Sequence, residues 1–361
     1  TSDISFDGTV KNFNKPVIVF NVKSNLMDVD SLLPQKTPEQ VKAEEELAKK
    51  SAGKEPEFDA EKAASGPIAA MKKNPTARAL DFTARATMKK VRVHKADVDN
   101  ITTELTFKDL VMNLKKASAQ TFGGSVNFNS AIDFRGSDPA YSVSGDVTGL
   151  DVNAAITSQM AAMKDTLFGK MNAKFSVAGS GLSKAKVKNT LKGGGNFNIA
   201  NGSWSSLKPL QQVGEKLKST PGVQGALSNV NVSDKFRQLK ADFNIAGGKF
   251  NIVNMIADLE GSNATLNGAG YVDFDMNLFL AGKIIAPNLD LADLKMPDGR
   301  YGLPYEMGCL ATSPCVKWDK TLGPVGTALA KREAGRQIHK ALDNNNNLPP
   351  AAKDFLKKLP F

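Results

Sequence analysis

The stretch FRQLKADFNIAGGKFNIVNMIADLEGSNATLNGAGYVDFDMNLFLAGKII, residues 236–285, decides the fold class. Its last part alternates between apolar and polar side chains, and the apolar set is Val272, Phe274, Met276, Leu278, Leu280 and Ile284. A period of two is typical of a β-strand that keeps one face out of water. The stretch therefore predicts consecutive strands, with 272–284 as one strand, and an apolar sheet face that must be covered.

The composition of the whole chain favours the same class. Its 361 residues include 30 Gly and 19 Phe but 4 Tyr and 2 Trp, which suits many short strands joined by glycine turns. Helical spacing of apolar residues is found near 153–168, 207–218 and 325–342, too little helix to cover a long sheet. We predict a mainly β fold: an elongated, strongly twisted antiparallel sheet curled into a groove, a repeating β-groove, with a few amphipathic helices covering part of it.

Changes in composition along the chain predict four parts. Residues 1–34 are the first strand unit of the β-groove, and 35–75, rich in Glu, Lys, Ala and Pro, are a charged, flexible insertion. Residues 76–320 are the main β-groove array, and 321–361 are a C-terminal helix and tail. No run of about 18 apolar residues occurs, so we expect any signal or membrane anchor to lie outside this sequence.

The two cysteines flank a short turn that contains proline, Cys309-Leu-Ala-Thr-Ser-Pro-Cys315. A bend of this length can bring two Cα atoms within the roughly 4.4–6.8 Å that a disulfide needs. We favour a Cys309–Cys315 disulfide, and hence an oxidising compartment, over two free thiols. A metal site is less expected, because His94 and His339 are far away in the sequence.

The formal net charge of +10 has two interpretations. One is a well-solvated outer sheet face, and the other is attraction to an anionic surface such as lipid headgroups. Lysine pairs such as Lys72-Lys73 and Lys115-Lys116 are scattered and lack the interleaved aromatic residues of a surface that stacks single strands. We favour the solvated face, place membrane proximity second, and expect no nucleic-acid partner.

Catalytic motifs are weak throughout the chain. With two His and two Cys, a His-based triad or a zinc site of several ligands is disfavoured. The glycines at 193–195 are not followed by the Lys-Ser/Thr of a phosphate loop, and Gly179-Ser180-Gly181 lacks the spacing of a nucleophile elbow. We therefore predict a protein that is not an enzyme and that uses no cofactor or metal.

Several glycine-anchored motifs occur in a characteristic order. They are Thr121–Ser125, Leu167–Gly181, Leu191–Gly195, Ile199–Ser203, Leu266–Phe274 and Leu303–Gly308. Their succession of strand, glycine and turn resembles the AsmA family of Gram-negative envelope proteins, over most of residues 1–330. The resemblance implies a periplasmic protein, tethered to the inner membrane by an N-terminal helix, with a curved β-groove related to bridge-like lipid transfer proteins.

The function predicted on this basis is non-enzymatic binding and transfer of lipids, phospholipids in the first place, along a hydrophobic groove. Such transfer would support the lipid homeostasis and integrity of the outer membrane. The expected partners are phospholipids or other acyl-chain lipids, the inner and/or outer membrane, and envelope proteins. The alternative is a periplasmic scaffold that assists assembly of outer-membrane proteins through an exposed sheet edge.

Eleven apolar residues form the predicted groove lining. They are Phe243, Ile245, Phe250, Ile252, Leu259, Leu266, Val272, Phe274, Met276, Leu278 and Leu280. Acyl chains would lie along them, and each buried methylene would contribute about 0.8 kcal/mol. The alternative is that these residues pack against the helix near 325–342 as ordinary core and never contact lipid.

Overall fold

The computed structural model describes residues 2–28, 60–93, 96–160, 163–219, 232–261, 264–286 and 292–344. The chain divides into two compact units. The first unit comprises Thr1–Lys164, Lys170–Asn198 and Asp242–Phe250, and the second comprises Asp165–Gly169, Ile199–Ala241 and Asn251–Phe361. The predicted insertion at 35–75 lies mostly outside the described residues, as do the tail residues after 344.

Strands account for most of the described residues. They are β1 Ser5–Lys11, β2 Val17–Ser24, β3 Met27–Asp28, β4 Asp81–Val93, β5 Ala96–Lys108, β6 Val111–Thr121, β7 Gly124–Asp133, β8 Ala140–Asp151, β9 Leu167–Ser180, β10 Lys192–Trp204, β11 Lys235–Ala246, β12 Lys249–Leu259, β13 Thr265–Asp273, β14 Leu278–Ala286, β15 Tyr301–Leu310 and β16 Ser313–Val316. The strands belong to one sheet in the order β1-β2-β4 and then consecutively to β16, with β3 beside β4. The prediction of a mainly β fold built on one large sheet is confirmed.

Most neighbouring strands are antiparallel, as predicted, including β1 and β2, but two pairs near the start of the sheet are parallel. β4 pairs in parallel with both β2 and β3, whereas the pairs from β4 to β9 and from β13 to β16 are antiparallel. Parallel neighbours need a crossover connection, since a tight hairpin reverses the chain. On that connection, the described residues 60–80 contain helices α1, Ala60–Lys73, and α2, Pro75–Ala79, which precede β4.

Helices are few in the described residues. They are α1 Ala60–Lys73, α2 Pro75–Ala79, α3 Val152–Gln159, α4 Lys184–Thr190, α5 Lys208–Ser219 and α6 Trp318–Asn344, with 3-10 turns at Ser205–Leu207 and Ala292–Leu294. Helices α1 to α5 lie in the connections between strands, and α6 follows the last strand, β16. Among the helices of the described ranges, none is both long enough and apolar enough to cross a membrane.

The predicted helices near 207–218 and 325–342 are confirmed as α5 and α6, but the helix predicted at 153–168 is shorter than expected. Asp165 adopts a left-handed conformation with φ of 59°, and Leu167 begins β9. Leu167 therefore continued the helical spacing in the sequence although it belongs to the next strand.

The prediction that 272–284 forms one strand was wrong, because a tight turn divides it into β13 and β14. Oδ1 of Asp273 accepts hydrogen bonds from the backbone N–H groups of Asp275 at 2.9 Å and Asn277 at 2.8 Å. Aspartate side chains commonly close turns in this way, in competition with the strand ladder. Val272 pairs with Leu278 across the hairpin, so these two residues still share a face.

The second unit has a filled apolar core. Leu207, Leu210 and Val213, at the start of and within α5, are fully buried. Helix α6 packs against β15, and Val325 of α6 is 2 % exposed. Thr321 Oγ1 accepts a hydrogen bond from the backbone N–H of Glu306 at 3.2 Å, which fixes the start of α6 against the strand. Helical cover therefore removes this part of the sheet from water.

The cysteines close the last hairpin of the sheet. Cys309 and Cys315 form a disulfide between β15 and β16, with the two Cα atoms 5.7 Å apart. Gly308 pairs with Cys315 and Cys309 pairs with Pro314, so the two cysteines lie diagonally across the hairpin. The predicted disulfide is confirmed.

Candidate functional site

The strand register of the first unit places its apolar side chains on one face, because paired residues in neighbouring strands point to the same side. One row crosses eight strands at Val10, Ile18, Phe82, Phe107, Met112, Ile132, Tyr141 and Gly179. The next row is Gly8, Phe20, Ala84, Leu105, Leu114, Ser130, Val143 and Val177. These two rows define what we call the apolar face.

The opposite face of the same strands is polar and is crossed by ion pairs. Arg85 Nε lies 2.9 Å from Glu104 Oε2, between β4 and β5. Further along, Asn127 Nδ2 donates to Asp146 Oδ2 at 3.1 Å, between β7 and β8. Charged and amide groups of this kind keep their hydration when they face solvent. The first unit therefore has one face suited to water and one face that is not.

Residues of the apolar face are half-buried, except for the exposed Gly8 and Val10, unlike the core of the second unit. Among the described residues, buried apolar side chains number 5 in the first unit and 26 in the second. Phe82, Leu105 and Val143 are all of intermediate exposure, although each lies in the middle of a row. Neighbouring side chains of the same sheet cover the sides of these three side chains. A second layer of structure packed on the face would also bury the ends of the side chains. The apolar face therefore presents a large area of hydrocarbon that is accessible from above.

Phenylalanines form two clusters on the first unit. In β1, β2 and β4, Phe20 has ring centroids 6.3 Å from Phe6 and 6.1 Å from Phe82. In β11 and β12, Phe243 and Phe250 stack with centroids 4.7 Å apart. Aromatic pairs in such arrangements contribute about 0.5–1.5 kcal/mol beyond the area that they bury. Phe6 is nevertheless 73 % exposed, so the first cluster retains accessible apolar surface.

Glycines opposite phenylalanines make room for the rings. A Cβ atom at Gly145 would lie 2.7 Å from Cβ of Phe128, and a Cβ atom at Gly195 would lie 2.9 Å from Cζ of Phe243. Separations below 3.0 Å are too short for carbon atoms, so a side chain at Gly195 would collide with the Phe243 ring and with the carbonyl oxygen of Lys174, and one at Gly145 would collide with Cβ of Phe128 and the carbonyl oxygen of Asn127. The pairing of glycine with phenylalanine lets the rings lie over the neighbouring strand and keeps the apolar face continuous.

The family comparison identifies the group to which this protein belongs. The model of the AsmA family matches residues 2–255, well over half of the chain. The chain belongs to the AsmA family. No curated protein and no solved structure gives a match. The matched range of this AsmA-family chain contains every residue of the apolar face.

The predicted lining residues of the AsmA-family chain lie in different surroundings. Phe243, Ile245 and Phe250 belong to the first unit and are half-buried. The other eight belong to the second unit; Val272, Phe274 and Met276 are half-buried there, and the buried ones are Ile252, Leu259, Leu266, Leu278 and Leu280. Their contact with lipid remains a prediction.

Sequence reasoning placed the site mainly on β12–β14 and missed the rows on β4–β9, although alternation such as Leu105 and Phe107 was visible there.

Ionisable groups show no arrangement typical of catalysis in the part of the chain that the structure describes. Hydrogen bonds from the Arg135 guanidinium lower the pKa of Asp133 to about 2, and the Arg92 and Lys90 side chains lower the pKa of Asp97. These carboxylates are solvent-accessible partners of ion pairs. Within the same residues, no group of three or more His, Cys, Asp and Glu could hold a metal ion. What the apolar face offers chemically is half-exposed hydrocarbon.

Proposed function

We propose that this protein binds acyl-chain lipids, phospholipids in the first place, on the apolar face of its first unit and transfers them without catalysis. The observation that carries the proposal is the continuous, half-exposed apolar face across eight strands. Membership of the AsmA family supports it, because the resemblance implies a role in lipid supply to the outer membrane and in outer-membrane integrity.

The dimensions of the apolar face suit an acyl chain. From β4 to β9 the rows cover five strand spacings, or roughly 24 Å, and the two rows are two residues, or roughly 7 Å, apart along each strand. One leaflet of a bilayer has a hydrocarbon thickness of about 15 Å, so an acyl chain fits across the strands. Eight methylenes taken from water by the face would contribute about 6 kcal/mol before the cost of ordering the lipid.

The proposed compartment is the periplasm, with a tether to the inner membrane. The Cys309–Cys315 disulfide favours an oxidising compartment, and the resemblance to the AsmA family implies the Gram-negative envelope, so both support the proposal. A periplasmic lipid carrier needs a shielded path for acyl chains through water. The apolar face would supply one.

A second candidate function is a scaffold for outer-membrane protein assembly, and the exposure of β1 favours it. β1 begins the strand order, and all seven of its residues are exposed. An exposed edge strand can pair with a strand of another protein. Photo-crosslinking from Phe6 in cells tests this candidate: a stable protein adduct would support the scaffold, whereas adducts with lipid alone would support transfer.

The proposed function is tested by lipid extraction from purified protein, with quantification of phospholipid per chain by mass spectrometry. The variant Val143→Asp places a charge in the middle of the apolar face, and Ser142→Asp places one on the polar face of the same strand. We expect bound phospholipid in the wild type and in Ser142→Asp, and a several-fold loss in Val143→Asp with an unchanged circular dichroism spectrum. Absence of lipid from the wild type, or equal lipid in both variants, would refute the proposal.

A further inference from the structure

One end of the first unit's strands carries an excess of positive charge. The register defines this end by the row Lys11, Val17, Asp81, Lys108, Val111, Asp133, Ala140 and Ser180. We call this row, with the connections beyond it, helices α1, α2 and α4 and the first residues of β10 and β12, the basic rim. Among its described residues are twelve cations and four carboxylates. The cations are Lys11, Lys15, Lys72, Lys73, Arg78, Lys108, Arg135, Lys184, Lys186, Lys188, Lys192 and Lys249, and the carboxylates are Asp81, Asp109, Asp133 and Asp138.

Contacts at the basic rim bring its helices to the strand ends. Lys72 Nζ, in the last turn of α1, donates to the carbonyl oxygen of Gly136 at 2.5 Å, and Lys186 Nζ of α4 lies 2.7 Å from Asp138 Oδ1. Thr190, at the end of α4, donates from Oγ1 to the carbonyl oxygen of Ser180 at 2.7 Å. The charges therefore gather along one border of the apolar face, although they come from distant parts of the sequence.

A small cavity at the basic rim has both apolar and cationic walls. It has a volume of about 190 Å³ and lies between α1, the β7–β8 connection and the start of α4. Ile68, Pro139 and Leu182 supply apolar lining, Lys72 supplies a cation, and Asp138 supplies a carboxylate that is paired with Lys186. Such a combination fits the junction between a phosphate group and the first carbons of an acyl chain.

Several rim cations have no carboxylate partner among the described residues. These are Lys11, Lys15, Lys73, Arg78 and Lys192, all of them exposed. At the opposite end of the strands the charge is nearly balanced, with six cations and five carboxylates in the described residues. There, Lys90 and Arg92 contact Asp97. The excess of positive charge thus lies on one side of the apolar face only.

We propose that the basic rim binds the phosphate headgroups of anionic phospholipids whose acyl chains lie on the apolar face beside it. This inference rests on the proposed function and adds its substrate class. A headgroup with net negative charge gains attraction from every nearby cation, whereas a zwitterionic headgroup presents its own ammonium to the same cations. The protein therefore takes anionic phospholipids in preference to zwitterionic ones.

The test uses the purified full chain and vesicles of phosphatidylethanolamine and phosphatidylglycerol at a ratio of about three to one. The phosphatidylglycerol gives the vesicle surface a negative charge, which attracts basic side chains. The rim variant neutralises four unpaired cations: Lys11→Gln, Lys73→Gln, Arg78→Gln and Lys192→Gln. The matched control neutralises four exposed lysines away from the rim: Lys23→Gln, Lys89→Gln, Lys115→Gln and Lys174→Gln. Both variants lose the same net charge, so a general effect of charge cancels in the comparison.

The readout is the ratio of phosphatidylglycerol to phosphatidylethanolamine bound to the repurified protein, relative to that of the vesicles. We expect the wild type and the control to enrich phosphatidylglycerol by roughly three- to tenfold, and the rim variant to lose the enrichment while keeping its total bound lipid. Inorganic phosphate at millimolar concentration should leave the enrichment intact, because a free phosphate lacks the acyl chain.

Three results would overturn the inference. The first is enrichment retained in the rim variant, and the second is no enrichment in the wild type despite bound lipid. The third is loss of total lipid in the rim variant without a change in the ratio, which would make the rim a docking surface for vesicles. The proposed function fails separately, if the wild type binds no lipid of either class.

Discussion

Replacement of leucine by alanine is expected to have different costs at Leu280 and at Leu105. Leu280 is fully buried in the second unit, between its partners Gly270 in β13 and Met307 in β15. Leu105 is half-buried on the apolar face of the first unit, between Ala84 and Leu114. Both replacements remove the same three carbons. A difference between the two losses in the free energy of unfolding therefore reports on what lies above each side chain.

The magnitudes follow from burial. Loss of three carbons from a closed core removes about 2.4 kcal/mol of transfer free energy, and the cavity that remains raises the total for Leu280→Ala to about 3–4 kcal/mol. At Leu105 the side chain is only half-buried, so about half of this transfer free energy is lost, and no closed cavity forms. We therefore expect Leu105→Ala to lower the free energy of unfolding by about 1 kcal/mol. Urea unfolding, with the m-value checked for constancy, measures both costs. Equal costs at the two positions would refute the view that the apolar face lacks a covering layer.

Two further predictions concern the hairpin disulfide and an ion pair of the first unit. Cys309→Ser combined with Cys315→Ser should lower the free energy of unfolding by about 2 kcal/mol, because the short loop closed by the bond gains freedom in the unfolded chain; the same thermal midpoint in the wild type and the double variant would contradict this. Hydrogen bonds from Arg135 lower the pKa of Asp133 from 3.8 to about 2, so the associated stability is present above pH 3.8 and is lost as the pH falls towards 2. Asp133→Asn should therefore flatten the fall of the urea midpoint between pH 4 and pH 2, and an unchanged slope would show that the ion pair does not contribute.

Local patterns in the sequence predicted the elements whose causes are local. The alternation around Leu266 and Leu278 marked strands correctly, and the spacing of Cys309 and Cys315 allowed the disulfide. The turn at Asp273 was missed because its aspartate and asparagine also fit the polar positions of a continuous strand. Alternation specifies which residues share a face, and it does not specify where the chain reverses.

Local patterns in the sequence could not show which residues form the candidate site. Leu105 and Leu280 have equivalent surroundings in the sequence, since both lie in alternating strands. Their difference depends on tertiary packing, which decides which part of a sheet receives helical cover. The basic rim is also non-local, because only the strand register places Lys11, Lys72 and Lys192 at the same end of the strands.

The parallel pairing of β2 with β4 has a consequence for the order in which the sheet assembles. Val17 is 64 residues from its partner Asp81, whereas Phe82 is 25 residues from Phe107 in the neighbouring hairpin. Closing the longer loop costs about 0.8 kcal/mol more in chain entropy, and contacts of long sequence separation form late in folding. The hairpin of β1 and β2 is thus the last strand pair to join the β4–β9 meander and the first to leave it. In hydrogen exchange, its amides should open at a lower free energy than those of β5–β8. The number of strands that offer hydrocarbon to a lipid would then change by two with each such opening, which makes the length of the binding surface a dynamic property of the folded protein.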